Sequence, residues 1–168
     1  MRIVVRAVVE FVRSTPLLVQ VYFLFFVLPT FGVVLPALTV GVLALGLHYA
    51  TYTSEVYRAG IDAVPRGQWE AATALSLPRS RVWTGVVLPQ AVPRVLPALG
   101  NYVISMFKET PLLIGIGVLD IVGGQVREVG GQSFRYVEAY TIAGLLFLLL
   151  SYPASLAVRR LERRRAVR

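Results

Sequence analysis

Lys108 and Glu109 stand side by side in an apolar stretch that runs from about Arg94 to Leu119. On insertion scales a charge at the bilayer centre costs about 2.5–3.5 kcal/mol. Such a pair survives where it faces a polar path or where each charge finds a partner, and Lys108 reads as a structural ion-pair member. A second group lies upstream. His48, Tyr52 and Glu55 are four and three residues apart, so they share one helix face, with Tyr49 beside them. Rings and polar groups on one face suit a compact zwitterion, because an aromatic face attracts a delocalised cation. Hydrogen bonding between helices is the plainer use of the same residues. Glu55 can pair with Arg58, and Arg6, Glu10 and Arg13 have the spacing to pair along one face. Asn101 can bond a neighbouring helix.

No catalytic set accompanies these residues. The 168-residue chain has no cysteine and a single histidine. That excludes a thiol nucleophile, a disulfide scaffold, Cys-ligated zinc, an iron–sulfur cluster and a His-rich metal site. Gly123-Gly124 and Gly130-Gly131 come without the lysine of a phosphate cradle, so ATP is not expected on this chain.

Such residues need a lipid-embedded frame. The chain is 56% hydrophobic and 15% charged with a net charge of +8, and its mean hydropathy is +0.67. Soluble domains carry about 25% charged residues. The basic excess then reads as a topology signal and not as a nucleic-acid surface. The length fits one domain over residues 1–168. Ser14 to Ser54 carries no formal charge and is interrupted by Pro29, Gly32 and Pro36. A span needs about 20 residues, so this stretch predicts two spans joined by a turn. The first covers about Ile3 to Leu28, kinked at Thr15-Pro16, and the second about Val34 to Arg58. A third covers about Arg94 to Leu119, with Lys108-Glu109 in its interior, and a fourth Ala139 to Val158. Residues 59–93 form a polar loop with a short helix over Gln68 to Leu75, and residues 120–137 a Gly-rich loop. The expected fold is an all-α membrane protein of about four transmembrane helices. Arg2, Arg6 and Arg13, then Arg66, Arg79 and Arg81, then the tail of Arg159, Arg160, Arg163, Arg164, Arg165 and Arg168 put both termini and the central loop on the cytoplasmic side. The tail would anchor at anionic lipid.

The central loop reads Glu70-Ala71-Ala72, then Ser76, then Val86-Val87-Leu88-Pro89. This resembles the EAA motif of ABC importer permeases: Glu-Ala-Ala, three residues, Gly, nine residues, Ile, any residue, Leu-Pro. The stretches Glu10 to Gln20, Glu55 to Ile61, Leu96 to Asn101, Lys108 to Leu112 and Arg159 to Arg164 resemble further segments of the polar-amino-acid permeases, so the likeness covers nearly the whole chain. The run from His48 to Gly60, with Pro65 to Glu70, is most similar to ectoine and hydroxyectoine permeases.

The resemblance implies a type I ABC importer permease in a bacterial cell membrane. Glu70, Ala71, Ala72, Ser76, Leu88 and Pro89 would couple to a cytosolic ATPase. Glu109 would lie by the transport pathway and meet a cationic group of the solute, joined by His48, Tyr52 and Asn101. The implied partners are a second permease copy, identical or paralogous, two ATPase subunits holding ATP and magnesium, an extracytoplasmic binding protein and membrane lipid. The chain itself would be no enzyme and would carry no cofactor. The solute would be ectoine or hydroxyectoine, with polar amino acids as the alternative. Two departures support a rival, a non-transporting or degenerate membrane scaffold. Ser76 stands where the family has glycine, and the family's first membrane helix is expected to be absent, through shortening or a miscalled start.

Overall fold

A computed structural model describes residues 2–118 and 123–166, and every described element is helical. The chain order is α1 (Arg2–Ser14), α2 (Leu17–Tyr22), α3 (Ala37–Asp62), α4 (Arg66–Ala74), α5 (Arg79–Arg81), α6 (Leu88–Glu109), α7 (Gly123–Ser133) and α8 (Tyr136–Ala166). A π turn, Phe23–Val27, and a 3-10 turn, Leu28–Phe31, extend α2. A second π turn, Val82–Val87, joins α5 to α6 without a break, and a 3-10 turn, Thr110–Ile116, follows α6.

The expected first span is not one helix. The axis turns by 104° between Ile3–Ser14 and Leu17–Phe31. Pro16 forces the residue before it out of the helical region, and its own backbone is extended (φ −60°, ψ 138°). A side chain then fixes the bend. Gln20 Nε2 donates to the Val12 carbonyl at 2.7 Å, the Thr15 carbonyl at 3.0 Å and Thr15 Oγ1 at 2.8 Å. α1 presents Ile3, Val4, Val8 and Phe11 to the outside. The predicted pairing of Arg6, Glu10 and Arg13 does not form; the ion pairs among the described residues are Glu55 with Arg58 and Arg135 with Glu138. Exposed pairs gain too little to hold long side chains in one place.

α3 starts after Pro36 and runs past the expected end at Arg58 to Asp62. The core lies where α2, α3 and the turn after α6 meet, around Leu17, Val21, Val40, Ala44, Tyr49, Leu113 and Ile116. Lower down, Gly60 lets α3 approach α6. A Cβ there would run into Val95 Cγ1 and lie 3.4 Å from the Ala91 carbonyl.

The third helix also differs from expectation. It is helical from Arg79 onward, so Val86, Val87, Leu88 and Pro89 belong to a helix and not to a loop. Pro89, Pro93 and Pro97 all lie in α6. They are four apart, so the amide that Pro93 lacks would have met the Pro89 carbonyl, and that of Pro97 the Pro93 carbonyl. The losses fall on one ridge, and the opposite face keeps its ladder. At the other end, Thr110-Pro111 converts the helix to a 3-10 turn that Gly117 closes at φ 81°. Lys108 and Glu109 are therefore the last residues of α6 and not its interior.

The Gly-rich segment is the remaining correction. Gly123–Ser133 is helix α7. Glycine weakens a helix, but tertiary packing overrides it: Val126 clusters with Ala139 and Ala143 of α8, and Gly130 lies against Tyr136. Residues 119–122 lie outside the described residues. α8 contains a 25-residue stretch, Tyr136–Arg160, long and apolar enough to cross a bilayer. It packs on α6 through Gly100, where a Cβ would come to 2.8 Å of Val158 Cγ2. Of the basic tail, the side chains of Arg163, Arg164, Arg165 and Arg168 lie outside the described residues.

Candidate functional site

α3 and α6 bring together residues sixty positions apart. The Tyr49 hydroxyl donates to Glu109 Oε2 at 2.7 Å. Three tyrosines form a box beside this bond: ring centroids are 6.4 Å apart for Tyr49 and Tyr52, 5.9 Å for Tyr49 and Tyr102, and 5.8 Å for Tyr52 and Tyr102. His48 stands on the same face, 5.0 Å from the Tyr52 ring. Its Nδ1 lies 3.3 Å from Gln20 Oε1, so the glutamine that fixes the α1–α2 bend also holds the histidine. The Arg13 guanidinium sits 5.2 Å from the centre of the Tyr52 ring, and the Tyr52 hydroxyl donates to the Arg13 carbonyl at 3.3 Å. A carboxylate beside three rings can hold a cation by charge and by cation–π attraction.

The structure brings His48, Tyr52 and Glu109 into one cluster around Tyr49. Asn101 is exposed on α6 and does not enter the box. Glu55 pairs with Arg58 as expected. Among the described residues Lys108 forms no ion pair, and it faces α8, turned away from Glu109 because consecutive helical residues point about 100° apart. Tyr102 and Gln20 escaped the sequence reading. Tyr102 is next to Asn101, one position from the face chosen there, and the partners of Gln20 lie across a bend that periodicity does not reveal. Among the described residues no cluster of His, Asp or Glu could hold a metal ion.

The second site is α4. Glu70 and Ala71 are exposed while Ala72 is buried at 3%. The helix sits on a small core of Val64, Val87 and Ala91, with Trp69 packed against it and edge-on to Trp83 at 5.5 Å. Val87 supplies this support from the π turn, and Leu88 and Pro89 are exposed just beyond it. The end of α4 explains the glycine of the motif. Ser76 has φ 53°, in the left-handed region. Its amide donates to the Thr73 carbonyl at 2.9 Å and the Leu77 amide to the Ala72 carbonyl at 3.1 Å. These two bonds are a Schellman cap, whose left-handed residue is usually glycine. Serine holds the same geometry here under backbone strain. The turn leaves Leu75 72% exposed at the tip.

The comparisons with known proteins agree with this architecture. Residues 1–167 match the model of the binding-protein-dependent transport system inner membrane component family. The chain belongs to that family. One relative is a probable amino-acid ABC transporter permease protein, y4tG, of Sinorhizobium fredii, 46% identical over 151 residues; the match covers 90% of this chain and 65% of the relative. Another is the L-cystine transport system permease protein TcyB of Bacillus subtilis, 36% identical, covering 92% of this chain and 68% of the relative. A crystal structure of an amino acid ABC transporter with histidines superposes with a TM-score of 0.88 at 37% identity, covering 96% of this chain and 75% of that one. The chain thus spans about two thirds of the length of these permeases, and it shares the all-helical fold of that inner-membrane family.

Proposed function

We propose that this chain is the permease subunit of an ATP-driven ABC importer for polar amino acids, spanning the membrane several times and working by alternating access. One observation carries the reading: an exposed, firmly seated α4 that bears Glu70 and Ala71 and ends in the Schellman cap at Ser76. A short helix with small residues on its surface fits a groove on an ATPase. Its seat on Val87 and Ala91 ties it directly to α6. Motion of the ATPase would then reach Glu109 along one continuous helix. ATP and magnesium would sit on the ATPase subunits, a second permease would complete the pathway, and a binding protein would deliver the solute from outside. The basic termini and α4 would face the cytoplasm.

The relatives favour amino acids over the ectoine reading, since two are described as amino-acid and cystine permeases and the superposed structure is of an amino acid transporter. The box of Tyr49, Tyr52, Tyr102 and Glu109 would attract the ammonium group of an amino acid, as it would any compact cationic group, so the choice between the two solutes rests on the relatives.

The test is uptake of labelled glutamine, histidine and cystine in a strain lacking the gene, with the gene restored as wild type or as Glu70→Lys. Wild type restores uptake of an amino acid, and hydroxyectoine does not compete. Glu70→Lys reaches the membrane but loses both uptake and ATPase co-purification. Uptake that only hydroxyectoine blocks would overturn the amino-acid reading; ATPase binding unchanged by Glu70→Lys would overturn the coupling role.

A further inference from the structure

The 104° bend sets α1 nearly square to α2, so α1 lies along the bilayer surface where α2 enters it. The residues of α1 suit that position. Val4, Val8 and Phe11, four and three residues apart, form one face, and all three are exposed. Arg6, Glu10 and Arg13 repeat the same spacing on another face. A helix with separate apolar and basic faces settles in the plane of a membrane interface, its apolar side about 5–10 Å into the acyl boundary. Packing turns the two faces of α1 to different levels of α3. Phe11 and Val12 close a cavity of about 270 Å³ in the crook of the bend, with Val19 of α2, Phe23 and Leu24 of the π turn and Leu47 of α3. Thr15 and Gln20 also border it, their side chains bonded to each other. The basic face meets α3 further along. Glu55, paired with Arg58, is within electrostatic reach of Arg13 and Arg6. It lies eight residues beyond Leu47, about 12 Å along the helix. The Tyr52 hydroxyl donates to the Arg13 carbonyl, and the Arg13 guanidinium sits over the Tyr52 ring, which pins that end of α1 to α3. Arg6 stays exposed and, among the described residues, makes no ion pair.

This corner sets three arginines, Arg6, Arg13 and Arg58, against Glu10 and Glu55, so its charge complements an anion. A second copy of the chain meeting it across a two-fold axis would bring the same arginines against it. A lipid with an anionic headgroup satisfies both levels at once, because its chains are apolar and its phosphate sits at the surface. Resting on the reading of the chain as membrane-spanning, we propose that α1 is an in-plane anchor that binds an anionic phospholipid. The headgroup meets Arg6, and one acyl chain enters the crook beside Phe11. Arg13 and Arg58 add positive potential, and each basic residue near such a surface strengthens the attraction.

The experiment places the full chain in nanodiscs of phosphatidylcholine, alone or mixed with phosphatidylglycerol. The chain has no cysteine, so one introduced cysteine takes one label. Spin labels at Val4→Cys, Val8→Cys and Phe11→Cys meet oxygen dissolved in the lipid and are shielded from an aqueous nickel chelate, whereas a label at Glu10→Cys meets the chelate. Apolar-face labels shielded from both reagents would mean that protein covers α1, and labels met by the chelate all round would put α1 in water; either overturns the anchor. A label at Leu148→Cys on α8 checks the frame, since its exposure to the chelate would overturn the spanning reading itself. A fluorophore at Ser14→Cys then reports lipid with brominated chains. Brominated phosphatidylglycerol quenches it at a several-fold lower mole fraction than brominated phosphatidylcholine. Arg6→Gln reduces that preference by about fivefold, Arg6→Lys keeps it, and high salt weakens it. Phe11→Ser weakens quenching by both lipids alike, because it opens the crook and leaves the charges in place. Arg6→Gln melts like wild type in phosphatidylcholine alone, where the loss of a merely structural arginine would show. Equal quenching by the two lipids in wild type, or a preference unchanged in Arg6→Gln, overturns the headgroup site.

Discussion

Ser76 offers a perturbation whose size follows from backbone geometry. At φ 53° it occupies the left-handed region, which costs a residue with a Cβ about 1–2 kcal/mol. Glycine has no such penalty there but loses about 0.5–1 kcal/mol more conformational freedom on folding. Ser76→Gly should therefore stabilise the end of α4 by about 0.5–1 kcal/mol, the difference of the two. Ser76→Val should destabilise it, because a β-branched side chain fits that region worst. The assay is hydrogen exchange at Ser76 and Leu77, whose amides make the two cap bonds at 2.9 Å and 3.1 Å. At 1.4 kcal/mol per tenfold, Ser76→Gly slows exchange by about two- to fivefold, and Ser76→Val speeds it. Ser76 is exposed, and among the described residues it makes no side-chain hydrogen bond that would confuse the comparison. Exchange in Ser76→Gly that is unchanged or faster, with Ser76→Val no faster than wild type, would refute the strain argument and the explanation of the motif glycine with it.

Two further outcomes test the frame around the sites. Gln20→Leu removes the side-chain donor to the Thr15 carbonyl and to Thr15 Oγ1 at the bend, while the Val12 carbonyl keeps the Thr15 hydroxyl and amide, and should lower stability by about 1–2 kcal/mol in thermal unfolding; the distance between spin labels on α1 and α2 should also broaden, and a narrow unchanged distribution would show that Gln20 does not hold the bend. Gly60→Ala pushes a methyl group into Val95 and should cost about 1–3 kcal/mol. Adding Val95→Ala should recover part of that loss, and a purely additive double variant would mean that α3 and α6 do not meet there.

The sequence by itself determined the lipid-facing composition, the helical class and the α4 motif, because each rests on local pattern: hydropathy, periodicity and a spaced set of residues. It also picked out His48, Tyr52 and Glu109, since polar and aromatic types in apolar runs are visible in one dimension. Their assembly was not visible. The Tyr49–Glu109 bond joins positions sixty apart, Tyr102 enters only through the α3–α6 crossing, and the two neighbours Lys108 and Glu109 face different helices because a helix turns about 100° per residue. Asn101 points away for the same reason. The helix over Gly123–Ser133 was hidden because glycine argues against a helix locally, and only contact with α8 outweighs it. The bend at Thr15-Pro16 was marked by proline, but its 104° angle and the bonds of Gln20 across it were not, because that side chain finds its acceptors only once the two helices have turned toward each other.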